Sequence, residues 1–155
     1  LLADEGICAA LWADWWGFKH EAYDMSIANI AIVDQARGGT GCAIVHSDSA
    51  SGIQRLNQEA AKALAAGRRA GFDISEGRAM TWITKNPAKS LGILDQTGTL
   101  EQGKDADVVI WDGNPFSVYT KAERVYIDGA LAFDKASNFM PHTDFDLGIK
   151  EWEDK

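Results

Sequence analysis

Two short runs constrain the fold more than any other feature. Ile7 to Ala13 (ICAALWA) and Gly41 to Val45 (GCAIV) are nearly continuous in apolar residues over the length of a strand. A strand without polar alternation must be covered on both faces, which is the situation of strands in parallel sheets. Each run leads into a segment of helical character. Over 21–37, Met25, Ile27, Ile30, Ala31 and Val33 or Asp34 form an imperfect i, i+3, i+4 stripe, closed by Gly38-Gly39. From about Gly52 to Ala70 the apolar positions are Ile53, Leu56, Ala60, Ala63, Leu64 and Gly67, stopped by Gly71. Ser75 is placed to cap a further helix to about Lys85. Asn86-Pro87 reads as a cap followed by the first position of a short helix ending at Gly92. Strands alternating with helices in this way define βαβ units and a parallel sheet.

The character changes after Gly92. Thr97-Gly98 and Gln102-Gly103 are turns, Ala106 to Trp111 is a strand, and Asp112-Gly113-Asn114-Pro115 ends it. Ala122 to Ile127 and Ala130 to Phe133 flank Asp128-Gly129, the pattern of a two-residue hairpin turn with positive φ at both central positions. A small antiparallel sheet is therefore expected, followed by an acidic tail. The expected organisation is βα units over 1–95, β-strands over 96–135 and a tail over 136–155. Two parallel strands with their helices cannot complete a sheet alone. They are expected to belong to a larger sheet or barrel whose other strands lie upstream or in a second chain. The first residue, Leu1, opens in mid-pattern, as a segment cut from something longer would.

Composition narrows the partners. The 155 residues carry 15 basic and 23 acidic side chains, a net charge of −8, which disfavours nucleic acid and anionic membranes as partners. No apolar run approaches the ~18 residues of a membrane helix. Cys8 and Cys42 each sit inside an apolar run, and buried free thiols in a reducing, cytoplasmic setting are the expectation.

Ligands of α/β folds bind beyond the carboxyl ends of the strands. Two segments fall there. In His46-Ser47-Asp48, strand alternation would put the imidazole and the carboxylate on one face, where they could bind a divalent metal or pass a proton. The competing reading is that Asp48 or Ser49 caps the next helix and His46 is packed. Ser47, Ser49 and Ser51 lack the flanking glycines of a nucleophile elbow. In the other segment, Trp15, Trp16 and Phe18 beside Lys19 and His20 could wall a pocket, with Lys19 meeting a carboxylate, or could simply cover the sheet. Arg55, among Gln54, Asn57 and Glu59, could reach the same mouth. His142 lies in the tail and is expected at the surface. With three histidines, no C-x-x-C and no H-E-x-x-H, the chain is not expected to assemble a catalytic metal site alone.

Three groups of residues carry a resemblance. They are His46-Ser47-Asp48 with the helix through Gln54-Arg55-Leu56-Asn57-Gln58-Glu59-Ala60, then Asn86-Pro87-Ala88-Lys89-Ser90-Leu91-Gly92, and finally Gly98-Thr99-Leu100-Glu101-Gln102-Gly103-Lys104-Asp105-Ala106-Asp107. Together they resemble the C-terminal part of the amidohydrolase superfamily, over about 6–134, in its imidazolonepropionase-like and aminoacylproline dipeptidase-like branch. The resemblance implies an α/β fold: the C-terminal portion of a (β/α)8 metal-dependent hydrolase barrel, followed by part of a small β-sandwich. It makes Ile7 to Asp14 the seventh strand and Gly41 to Asp48 the eighth. It implies one or two divalent metals, usually zinc, with Asp48 as a metal ligand that takes a proton from water and can return it to a leaving nitrogen. His46, Trp15, Trp16, Phe18, Lys19 and Arg55 would then line the substrate site, and the substrate would be a small molecule with an amide, cyclic amide or peptide-like bond. The family's His-x-His, its bridging lysine or glutamate and its two later histidines have no counterpart here. The chain alone is therefore expected to be inert, its activity requiring the N-terminal part of the barrel or an oligomeric partner. A reading of another class is a non-catalytic binding or assembly module using Trp15, Trp16 and Phe18 and the open sheet edges.

Overall fold

The computed structural model describes residues 1–13 and 15–137. Asp14 and most of the tail, including His142, lie outside the described residues.

The two apolar runs are strands β1 (Cys8–Leu11) and β2 (Cys42–Val45), paired in parallel with Cys8 opposite Cys42 and Leu11 opposite Val45. Between them the expected 17-residue helix is not formed. The segment instead holds a 3-10 turn at His20–Ala22, helix α1 (Asn29–Asp34) and a single turn α2 (Ala36–Gly39) in which Arg37 and Gly38 adopt positive φ. The imperfect stripe accounts for the shortening, since only its second half, around Ile30 and Ala31, reaches the core. A 3-10 turn at Ile53–Arg55 then leads into α3 (Leu56–Arg69), close to the expected limits. Ser75 does cap a helix, its hydroxyl accepting the Arg78 N–H at 3.1 Å. That helix, α4 (Glu76–Met80), gives way to a 3-10 turn at Thr81–Ile83 and to α5 (Lys85–Leu91).

The core lies between the parallel pair and the helices. It comprises Ala13, Ile30, Ala31, Ala43, Val45, Ala60, Ala63, Leu64, Ile74, Ala79 and Trp82, with Leu11 packed against it. Alternation along the strands therefore turns Ala43, Val45 and Leu11 toward the helices and leaves Cys42, Ile44, Cys8 and Ala10 on the opposite face.

The expectation of free thiols is corrected here. Cys8 and Cys42 are joined in a disulfide, with no free cysteine among the described residues. In-register pairing across two adjacent strands brought residues 34 apart in sequence to a Cα separation of 4.5 Å, within the span a disulfide bridges.

After α5 the chain forms a three-stranded antiparallel sheet, β3 (Val108–Trp111), β4 (Ala122–Ile127) and β5 (Ala130–Asp134), in the order β3-β4-β5. The β4–β5 turn has φ of 51° at Asp128 and 77° at Gly129, as the sequence predicts. Lys104 and Asp107 hold the approach to this sheet. The Lys104 ammonium donates to the Leu94 carbonyl and to Thr99 Oγ1, and Asp107 accepts from Thr97 Oγ1 and from the Asp128 N–H. No described helix is long and apolar enough to cross a membrane.

Candidate active site at the carboxyl ends of the parallel strands

The face of the β1–β2 pair turned away from the helices is built in layers. The disulfide is the first, Ala10 and Ile44 the second, and Trp12 and His46 the third. The His46 N–H continues the ladder to the Leu11 carbonyl at 3.2 Å. Its imidazole lies 5.4 Å from the Trp12 ring at an interplanar angle of 27°. Trp15 stacks on Trp12 at 5.3 Å and 19°, and Phe18 meets both indoles edge-on, at 5.7 and 4.9 Å. Lys19 Nζ stands 5.3 Å from the Phe18 centroid, within cation–π range. Asn29 Nδ2 donates to the Trp12 carbonyl at 3.1 Å and so fixes the start of the aromatic loop.

His46 from one segment and Trp15 and Phe18 from the other meet around Trp12, with Lys19 over the Phe18 ring. Sequence reasoning missed Trp12, which lay hidden inside an apolar run. Its period-2 relation to Cys8 and Ala10 marks the face it shares, but not the parallel pairing that sets it opposite His46. Its indole Nε1 is buried and has no hydrogen-bond partner among the described residues. Trp16 is 55% exposed.

The two-residue spacing of His46 and Asp48 does not act as a strand repeat. β2 ends at Val45, and Asp48 has φ of 49°, so alternation stops before it. The serines around it build a turn. The Ser47 hydroxyl accepts from the Ser49 N–H and donates to the Ser49 carbonyl, and Ser49 Oγ accepts from the Gly52 N–H at 3.0 Å. Neither Asp48 nor Ser49 caps the helical segments that follow, whose N-cap positions are Gly52 and Arg55 without a side-chain cap. The Asp48 carboxylate is exposed and makes no hydrogen bond or ion pair among the described residues. A non-glycine residue at positive φ costs energy and persists only where its surroundings impose it, although aspartate tolerates it better than most.

A cavity of about 220 Å³ adjoins this turn, lined by Trp15, Ser47, Ser49, Gly52, Arg55, Glu59 and Lys62. Trp15 links it to the aromatic cluster, and Arg55 is among its walls. Gln54 and Asn57 are engaged elsewhere, through the Ser51 and Pro115 carbonyls. A larger apolar cavity of about 830 Å³, with Ile83, Pro87, Leu91, Val109 and Trp111 among its walls, contains none of these residues. Among the described residues no three His, Cys, Asp or Glu side chains converge as metal ligands. A zinc centre takes three or four such ligands, more than the described residues bring together at any one place.

With the fold and these residues in view, comparison with known proteins places the chain. The amidohydrolase family model matches residues 30–141, and the chain belongs to that family. Amidohydrolase tasK of Hapsidospora irregularis is 32% identical over 126 residues, covering 81% of this chain and 12% of that protein. Imidazolonepropionase of Brucella anthropi is 47% identical over 55 residues, covering 36% of this chain and 12% of the enzyme. An amidohydrolase crystal structure from Thermotoga maritima superposes with a TM-score of 0.70 at 32% identity, over 86% of this chain and 33% of that one. A zinc-bound adenosine deaminase from Xanthomonas campestris superposes at 0.69 with 15% identity, over 98% and 38%, and shares the fold. The chain thus spans about an eighth of the length of these curated relatives.

Proposed function

We propose that these residues are the C-terminal part of a metal-dependent hydrolase of C–N bonds in small molecules: an amide, a cyclic amide or a peptide-like bond. Membership of the amidohydrolase family supports the hydrolytic reading. The observation that carries it to a residue is Asp48, an exposed, unpartnered carboxylate held at positive φ just beyond a parallel strand. In the proposal residues 1–95 supply the last βα units of a barrel, 96–135 part of a β-sandwich and 136–155 a tail. One or two divalent metals, zinc by preference, would be held mainly by residues outside this chain, with Asp48 as one ligand.

The role assigned to Asp48 is proton transfer. Its carboxylate takes a proton from the attacking water and returns it to the nitrogen as the C–N bond breaks. His46 and the Trp15, Trp16 and Phe18 loop would line the substrate, and Lys19 and Arg55 would meet an anionic group on it. The N-terminal part of the barrel, or an oligomeric partner, completes the site. The cytoplasmic setting expected from the sequence rested in part on free thiols, and the disulfide withdraws that part of the ground.

The test compares the isolated chain with a longer protein containing these residues. Metal per polypeptide is measured by mass spectrometry, and turnover on acyl amino acids, dipeptides and cyclic amides is measured alongside. The expected result is no stoichiometric metal and no turnover for the chain, both for the longer protein, and loss of several orders of magnitude in turnover for Asp48→Ala. An Asp48→Ala protein with full activity removes Asp48 from the mechanism. Robust metal-dependent hydrolysis by the 155 residues alone overturns the requirement for further ligands.

A further inference from the structure

We propose that the cavity of about 220 Å³ beside Trp15 is a carboxylate-binding site, with Arg55 as the residue that anchors the anion. This deepens the proposed function and rests on it only for the owner of the carboxylate, since the walls are all residues of this chain. The charge pattern carries it. Glu59 stands four residues after Arg55, the spacing of an ion pair at the start of α3. Glu59 is instead taken by Lys62, at 2.7 Å. The Arg55 guanidinium lines the cavity and makes no hydrogen bond or ion pair among the described residues. Two cations and one carboxylate thus leave the cavity one positive charge, in a chain whose net charge is −8. General attraction of anions to the surface does not account for such a spot.

A single positive charge suits a monoanion. A guanidinium presents paired N–H donors that match the two oxygens of a carboxylate, where an ammonium offers only a point charge. A phosphate dianion would leave a negative charge unbalanced beside Glu59. The volume lies below the ~300–1,000 Å³ of pockets that enclose a whole drug-sized ligand, so the cavity takes a group or a small acid. The β2–α3 turn closes one side. Gly52 packs there so tightly that a Cβ would lie 3.1 Å from Ser49 Cβ. Ser47 and Ser49 line the cavity and flank Asp48 in the chain. Consecutive Cα atoms are about 3.8 Å apart, so an anion held there stands near the residue assigned to proton transfer. Trp15 is the wall shared with the aromatic stack on Trp12. Two owners of the carboxylate fit this place: the substrate, through an acidic group close to the bond that breaks, or a free small acid.

The experiment titrates the full chain with sodium acetate at constant ionic strength, against sodium chloride and inorganic phosphate. Proton–nitrogen NMR follows the Arg55 Nε–H and Trp15 Nε1–H signals. Acetate should move both saturably, with phosphate binding no more tightly. Arg55→Gln should weaken acetate binding by about tenfold or more. Arg55→Lys, which keeps the charge and loses the fork, should recover only part of it. Acetate shifts that do not saturate, or that match those of chloride, overturn the proposal, as does unchanged binding in Arg55→Gln. Tighter binding of phosphate overturns the assignment to a carboxylate. A second arm uses the longer protein and reads kcat/KM for one amide with its carboxylate free and with it esterified. Loss confined to the free acid in Arg55→Gln assigns the carboxylate to the substrate. An equal effect on both amides, with acetate still bound by the wild type, assigns it to a free acid. Acetate binding is read without turnover, so its absence leaves the hydrolase reading standing, and an inactive longer protein leaves the binding site standing.

Discussion

Asp34 shows how far a side chain's role can depart from its place in a pattern. The helical stripe admits Val33 or Asp34 on its apolar face, and Asp34 is indeed fully buried. It is also charged and accepts from Arg78 Nε and Trp82 Nε1 at 2.8 Å each and from Gln35 Nε2 at 2.7 Å, while Arg78 Nη2 also holds the Gly41 carbonyl at 2.9 Å. Removing one partner of such a pair leaves buried donors and a charge uncompensated. Asp34→Ala is expected to lower stability by about 3–5 kcal/mol in urea unfolding. Adding Arg78→Met should cost less than the sum of the two single changes. At the surface, the Lys121 N–H and, after it, the Lys135 ammonium hold the Asp112 carboxyl below the ordinary range. A carboxylate lowered on folding contributes stability above its unfolded value and loses it as pH falls through the folded one, so the effect lies on the acid side. Lys135, raised mainly by its hydrogen bond to Asp112, contributes below its unfolded value and loses that as pH rises through the folded one. A carbon-13 titration should give Asp112 a midpoint below those of free surface aspartates. Lys135→Met should recover part of the difference, since the Lys121 N–H remains, and an unmoved midpoint would show that the ammonium adds nothing.

The elements differ in how locally they are determined. The β4–β5 hairpin follows from two residues that tolerate positive φ, and α3 follows from a regular apolar face, so both match the sequence reading. Helix α1 depends on what it packs against. Gly67 of α3 approaches it so closely that a Cβ there would lie 2.6 Å from Ala31 Cβ, with Ala31 itself fully buried. Gly77 of α4 has nothing within 4 Å of the same position. Alanine is favoured over glycine in helices by about 1 kcal/mol, and forced overpacking costs about 1–3 kcal/mol. Gly67→Ala should therefore destabilise the protein and Gly77→Ala stabilise it by up to about 1 kcal/mol, a difference in sign that denaturant midpoints would read directly. Asn86 is a further case. Expected as a cap, it lies within α5, and its buried amide donates to the Ala43 carbonyl at 2.7 Å. Because the His46 N–H points to β1, alternation turns the Ala43 carbonyl to the open edge of β2. Asn86 occupies that edge as Asn29, through the Trp12 carbonyl, occupies the edge of β1.

The assembled chain brings these together as two sheets joined by helices, one sheet parallel and two-stranded, the other antiparallel. The kind of each sheet, the order of strands and helices, the tight hairpin and the family were legible in the sequence. Those features rest on short-range physics: a period of 2.0 or 3.6, a residue's tolerance of positive φ, a motif read along the chain. The candidate site was half legible. His46, Asp48, Trp15, Phe18 and Lys19 were recognisable as residue types suited to a strand end, but their arrangement was not. That Trp12 stacks on His46, that Cys8 bonds Cys42, that Asp34 meets Arg78 and Trp82, and that Asp48 leaves the strand with positive φ depend on register and helix packing between segments tens of residues apart. A local pattern places a side chain on a face, but it carries no information on which distant residue will stand opposite. That is settled when loops, helices and strands close one core together.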